Sequence, residues 1–524
     1  MRTVARLITA ALLAQTLACE PAPPNVPPRT PPAPPPPPVV EAPHPPPTPT
    51  ETPDAAFRKA PPPPGAPVRF TPPVIQETRL SNGIRVLTVE RRELPIVALQ
   101  IVATRGAAQG RPGVGSFVGS MLLAGTRKRS ALDLSDAFEN LGANHWASVD
   151  YDGGYLGVQT LSAKLPEAID LLSEVLREPA FPREELELER TRRLTLLQQE
   201  RDNPGRLLQR ALNEALYPRE HPYSASLIGD TAVVEKISTD DLGVFHRAQF
   251  QPDRLVVVAA GDFSKDNLIT ELERSLGKLR GKGEKPREIK APPPPGKDAT
   301  RVRILDRPGA SQSNVAVAQV GVPRSTPDFE ALLLMNTILG GQFSSRINLN
   351  LREKHGYTYG AGSNFAMRQG AGPFSLSGAI VSEHTGNALR EIFAELEGIR
   401  SKPVTEEELA DAKAYLIRRL PSYFESATET ASTLGSMAVY DLPLDEFTRR
   451  AERLERVTRE DIQRVASKYL AADRFQVIVV GDAARIRDGI EGLKLGKLEV
   501  VKPAEPRKDA PRKDAPRKDA PKKK

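Results

Sequence analysis

The sequence predicts an α+β protein of two homologous domains, each a mixed or antiparallel sheet covered by helices, behind a signal-like leader and a proline-rich tether. Three observations lead there. The block from Ile237 to Asp262 recurs from Val457 to Asp482 with no gap inside it, and a repeat spaced that widely is a duplicated domain, because solenoid periods are several-fold shorter. Strand-like runs and helical periodicities mix in both copies without regular β-α-β alternation. A polar, proline-rich joint, Gly281 to Lys297, separates the copies as a linker should.

Taken in order, the first copy opens with the apolar runs Gly83–Val89 and Val97–Val102, and the second with Val302–Leu305 and Asn314–Val320. Leu165-Pro166 starts a helix whose Ile169, Leu172 and Leu176 recur at helical spacing. Pro182–Arg190 corresponds to Val404–Lys413 in the second copy. Thr326-Pro327 is expected to cap a helix running to Gly340-Gly341, and Leu389, Ile392, Phe393, Leu396 and Ile399 form one apolar stripe. Each copy closes on an apolar strand ending in Gly-Asp. The expected boundaries are 75–283 and 299–495 for the two domains, with 284–298 as the linker.

The stretch Gly113-Val-Gly-Ser-Phe-Val-Gly-Ser-Met-Leu-Leu-Ala-Gly-Thr126 resembles the first active-site helix of the pitrilysin/insulinase-type zinc peptidases, roughly G-x-x-H-F-L-E-H-M-L-F-x-G-T. In that family two histidines one turn apart bind zinc, and the intervening glutamate is the general base. Ser116, Gly119 and Ser120 occupy those three places here. A hydroxyl is a poor zinc ligand and glycine is none. The small residues Gly115, Ser116, Gly119 and Ser120 instead suit a buried helix that packs closely.

The resemblance extends over about 75–495. It includes Phe181-Pro182 with Glu189-Arg190 and Asp202-Asn-Pro204, then His221-Pro-Tyr-Ser224, and most specifically Gly340-Gly-Gln-Phe-Ser-Ser-Arg-Ile-Asn-Leu-Asn-Leu-Arg-Glu-Lys-His-Gly-Tyr-Thr-Tyr-Gly360. The third zinc ligand of the family, a glutamate, falls on Leu196. Glu200 lies one turn further on, and a lone carboxylate cannot hold catalytic zinc, which takes three protein ligands. The six histidines, at 44, 145, 221, 246, 355 and 384, never fall three or four apart. This chain is therefore expected to carry no metal and no other cofactor, and to be inactive alone.

In the second copy the family's functional pattern is intact. The resemblance implies that Arg352 and Tyr359, seven apart, hold the substrate carbonyl and stabilise its oxyanion as preorganised donors; Tyr357 is the alternative tyrosine. Against this stands pairing of Arg352 with an acidic neighbour and burial of the tyrosines. His221 reads as a structural turn and Trp146 as packing near the family's substrate-edge strand.

At the N-terminus, Arg2 and Arg6 precede a short apolar run from Leu7 to Leu17, then Ala18-Cys19. The run is too short to span a bilayer. It looks like a lipoprotein signal (1–18) with acylation of Cys19; cleavage after Ala18 without acylation is the alternative. Cys19 is the only cysteine, which excludes an intrachain disulfide. Residues 19–74 follow as the tether; of the 51 prolines 25 lie between Pro21 and Pro73, so it reaches at most about 160 Å at about 3.1 Å per residue. The tail, 496–524, ends in a basic low-complexity repeat. Residues 506–524 carry nine Lys/Arg and three Asp, nearly the whole net charge of +7. The folded body is close to neutral, which gives no argument for a nucleic-acid groove.

The expectation is a catalytically incomplete subunit pairing with a zinc-bearing sister chain around a peptide-degrading or processing chamber. It would be held by a lipid anchor at the outer membrane of a Gram-negative-type cell, facing the periplasm. The rival is a non-enzymatic peptide-binding or scaffold protein of the envelope.

Overall fold

A computed structural model of the chain describes residues 70–296 and 299–502. Cys19, the leader, most of the tether and most of the basic tail lie outside the described residues. Two six-stranded sheets carry the fold. The first is built from β1 (Gln76–Arg79), β2 (Arg85–Glu90), β3 (Ile96–Ala103), β4 (Asn144–Val149), β5 (Gly154–Leu161) and β6 (Leu255–Gly261), in the order β1-β2-β6-β3-β5-β4. The second contains β7 (Val302–Asp306), β8 (Gln312–Val320), β9 (Thr358–Phe365), β10 (Pro373–Val381), β11 (Gln476–Gly481) and β12 (Leu498–Val501), ordered β12-β7-β11-β8-β10-β9.

Both sheets are mixed. β2 runs parallel to β6, as β7 does to β11, while the other pairs of β3 and β8 are antiparallel. The strand ending in Gly-Asp is β6 in one copy and β11 in the other, in the same place in each sheet. The helices preceding them start alike. Ser238 and Thr458 each cap a helix, Thr239–Gln249 and Arg459–Tyr469, in a reciprocal box with Asp241 and Asp461.

The copies differ in the strand beside β2 and β7. In the first sheet it is β1, antiparallel and from the start of the body. In the second it is β12, parallel to β7, with Leu498 opposite Val302. The tail expected from 496 therefore begins after Val501. At the other end, Phe70 and Ile75 pack on a buried cluster that includes Phe424, so the last residues assigned to the tether belong to the body.

Each sheet is covered on one face by its own helices and on the other by a helix from the other copy. β6 shows why: Val257 and Ala259 face the first copy's core, while Val256, Val258 and Ala260 face a second cluster containing Leu434, Met437 and Ala438 of the helix Ala427–Val439. Strands buried on both faces read as continuous apolar runs. Reciprocally, Leu208 and Leu212 of the helix Pro204–Leu216 lie against Ala316, Ala318, Ile478 and Val480 of the second sheet. Each fully buried Leu or Met on these helices is worth roughly 1.5–3 kcal/mol. The two domains are helix-covered sheets as expected, and each lends one covering helix to the other.

The expected helix from Thr326 starts slightly later, at Phe329, runs to Asn336 and continues as a π-helical turn over Thr337–Gly341. The linker is docked. Arg287 N–H donates to Gln109 Oε1 at 2.7 Å, and the His221 ring meets Lys290 O at 3.0 Å. At the junction, Gln369 Nε2 donates to Thr104 O and to Val439 O, both at 2.9 Å. Buried Asp152 accepts from Tyr223 Oη at 3.1 Å and Tyr440 Oη at 3.0 Å, and burial pushes its carboxyl up.

Candidate functional site: a guanidinium in the degenerate metal position

The helix Val114–Met121 carries Ser116, Gly119 and Ser120, and packs on β4 and on the long helix Arg183–Asp202, which carries Leu196. The two helices meet at Ser116 and Ser120, which bond across to the long helix. What joins them is Arg193. Its Nη1 donates to Ser116 Oγ at 2.7 Å, its Nη2 to Ser120 Oγ at 3.0 Å, and its Nε to Glu189 Oε1 at 2.7 Å.

The guanidinium is 2 % exposed and lies 3.8 Å above the Phe117 ring, a cation–π contact strengthened by desolvation. Burial lowers the Arg193 pKa, and the bond to Glu189 opposes that shift. Burial also pushes the Glu189 carboxyl up, but Arg192 and Arg193 outweigh it and leave the pKa below the usual range. The carboxylate is charged and bridges both arginines.

Gly119 explains why the glutamate position is empty of a side chain. A Cβ there would sit 2.6 Å from Val149 N and 2.9 Å from Ser148 C, so β4 closes on the helix where a longer residue would stand. The close packing expected of the small residues is present at the glycines, whereas Ser120 is exposed. Gly115 has the same property against Ala107.

Zinc does not fit these residues. The position between the two hydroxyls is taken by a fixed positive charge, and a dication cannot share it. No group of three or more His, Cys, Asp or Glu close enough to hold a metal occurs among the described residues. Sequence reasoning missed Arg193, since Arg192-Arg193 within Arg183–Asp202 reads as a solvated charged face. The available signal was its placement four residues after Glu189 and three before Leu196, on the face of the helix that would bear the ligand.

In the second copy, Arg352 lies in a π-helical turn, Leu349–Lys354, and Tyr359 follows on the edge strand β9. Such turns occur frequently at functional sites. Asparagines anchor the loop: Asn348 donates to Phe343 O at 2.7 Å and accepts from Ala361 N at 3.2 Å. Tyr359 is 91 % exposed and Phe343 67 %. Arg352 stacks 4.3 Å from the Phe343 ring and pairs with Glu353 at 3.2 Å, with one third of its side chain in solvent. The expected acidic neighbour is thus present, without burying the arginine.

Tyr357 is held differently. Its ring is stacked between His355 and His384 at 4.9 and 4.7 Å, so it serves packing. His221 accepts from Tyr223 N at 3.1 Å through Nδ1 and stacks on Tyr217, a structural turn as expected. Trp146 lies half-buried over Gly157, where a Cβ would collide with its ring.

Duplicated six-stranded sheets with a retained Gly340–Gly360 loop define a peptidase-type scaffold whose metal position is filled by protein. The description "Insulinase (Peptidase family M16)" matches residues 86–231, and "Peptidase M16 inactive domain" matches 236–416. The chain belongs to this M16 family, as a member without the metal-binding motif. It is 26 % identical to an uncharacterized zinc protease of Mycobacterium bovis, over 78 % of this chain and 93 % of that one. It is 25 % identical to the mitochondrial-processing peptidase subunit beta of Homo sapiens, over 79 % and 86 %. The crystal structure of a peptidase M16 inactive domain from Pseudomonas fluorescens superposes with a TM-score of 0.69 and 28 % identity, covering 78 % of this chain and 98 % of that chain.

Proposed function

We propose that this chain is the non-metal subunit of a two-chain zinc peptidase, in which a homologous sister chain supplies the metal and this one supplies Arg352 and Tyr359. The observation that carries the reading is a contrast within one molecule. The first copy's site is plugged by Arg193, while Tyr359 stands in solvent on an edge strand where no described residue bonds its hydroxyl. Similarity to a processing peptidase subunit supports pairing. Peptide substrates enter a chamber shared by both chains. Cys19, acylated, anchors the assembly in the envelope, with the proline-rich tether as spacer.

Arg352 and Tyr359 act on charge that develops on the scissile carbonyl, because a guanidinium and a phenol are donors that cost no reorganisation when they are held in place beforehand. Tyr359→Phe in the reconstituted pair is expected to lower turnover about 10²-fold with little change in assembly. Single-turnover kinetics and co-purification check this. An active pair indifferent to both Tyr359→Phe and Arg352→Ala would leave the loop purely structural. Metal analysis of the chain alone is the second test, and stoichiometric zinc there sinks the proposal. The Arg193 plug equally suits an envelope scaffold with no part in hydrolysis, which gains if no metal-bearing homologue co-purifies.

A further inference from the structure

Sharing no residue with the Arg193 site, an open pocket of about 390 Å³ lies in the second copy between the helices Phe329–Asn336, Ala427–Val439 and Glu446–Arg456. That volume lies in the range of small-molecule sites. Its charged wall is Arg324 and Arg450, both bonded to Oε1 of buried Glu446, at 2.9 and 2.5 Å. Arg453 bonds the other oxygen at 2.6 Å and Glu330 at 2.6 Å. Within this buried cluster three guanidinium groups are thus matched by two carboxylates; the lining's remaining carboxylate, Glu429, is exposed to solvent.

The guanidinium groups of the pocket wall lie over aromatic faces, Arg324 3.5 Å from the Phe329 ring and Arg450 4.4 Å from that of Phe447. Arg450 is 6 % exposed, and its buried Nε has no hydrogen-bond acceptor among the described residues. An orphaned donor on a buried cation is costly, and native structures pair such groups. The other walls are aromatic: Phe329, Tyr423 and Phe447. Ser432, Thr433 and Ser436 run along one face of Ala427–Val439 and complete the lining. At the mouth stands exposed Glu429, whose carboxylate accepts from Ser426 N at 2.9 Å in that helix's capping box.

We propose that this cavity binds a small amphiphilic monocarboxylate, its head against the Arg324–Arg450 pair and its apolar body among the aromatic rings. A single negative charge matches the surplus of one in the buried cluster, and solvent-exposed Glu429 repels a multiply charged anion more strongly than a monoanion. The hydroxyl stripe gives the ligand polar contacts along its length. Binding here is independent of any peptidase partner, because every residue involved lies in the second copy.

Calorimetric titration of the full-length protein with phenylbutyrate, phenylbutanol and inorganic phosphate tests the assignment. The acid is expected to bind one site at least about tenfold more tightly than the alcohol, the scale of one charge-assisted hydrogen bond. Arg324→Gln should erase that difference. Ser436→Trp, which fills the cavity from an exposed helix position outside the guanidinium cluster, should abolish binding of both compounds. If Arg324→Gln loses its circular dichroism signature, Ser436→Trp decides alone. Equal binding of acid and alcohol, phosphate binding as tightly as the acid, no binding to the parent protein, or binding that survives Ser436→Trp overturns the proposal.

Discussion

Arg193 turns an absent metal site into an occupied one. A guanidinium bridging two hydroxyls and a carboxylate reproduces the cross-link that a metal would make between two helices, using charge-assisted hydrogen bonds in place of coordination. Arg193→Met is expected to destabilise the chain by about 2 kcal/mol, because Ser116 and Ser120 lose a buried donor while Glu189 keeps Arg192. Arg193→Lys should not restore the loss, since a point charge cannot serve the three acceptors in one plane. Urea-unfolding midpoints measure both, and a Met variant as stable as the parent would show that the bridge contributes nothing. Restoring the motif by Ser116→His, Gly119→Glu, Ser120→His and Leu196→Glu together should still yield no bound zinc by metal analysis, because Arg193 holds the position and β4 crowds residue 119.

At the scale of elements, the two copies of one helix differ by a titratable group. His246, in the last turn of Thr239–Gln249, stacks on Phe250 at 5.0 Å and meets Phe181 edge-on; its counterpart in the repeat is fully buried Ala466. Burial depresses the imidazole pKa to about 4. An unfolded histidine near 6.5 takes up its proton first as pH falls, so stability is fully present above about pH 6.5 and is lost progressively down to about pH 4. Between pH 7 and pH 5 the loss from this residue is about 2 kcal/mol. His246→Phe should flatten the acid limb of a stability–pH curve by that amount, whatever its effect at neutral pH. An unchanged slope would mean that the imidazole titrates normally in the fold.

The molecule as a whole should unfold as one unit, because each copy's sheet is roofed by the other copy's helix. Trp146, the only tryptophan, sits in the first copy and reports that copy alone, whereas far-ultraviolet circular dichroism reports both. The two urea transitions are expected to coincide, as two-state behaviour requires. A tryptophan transition clearly separated from the dichroism would show that the exchanged helices do not couple the copies.

Much of this architecture is legible in the residues themselves. The duplication, the strands β6 and β11 and the stripe from Leu389 to Ile399 follow from local spacing, and local spacing is what dihedral preference and amphipathic burial act on. The loss of the metal ligands at Ser116, Gly119, Ser120 and Leu196 is equally a matter of residue identity. Tertiary structure alone decided which helix covers which sheet, because Pro204–Leu216 and Ala427–Val439 are apolar enough to cover either and only chain connectivity and shape select the partner. It also decided the fate of Arg193 and Arg450. A sequence shows that an arginine is charged, but whether the charge is solvated or buried against a particular carboxylate depends on packing contributed by residues far along the chain.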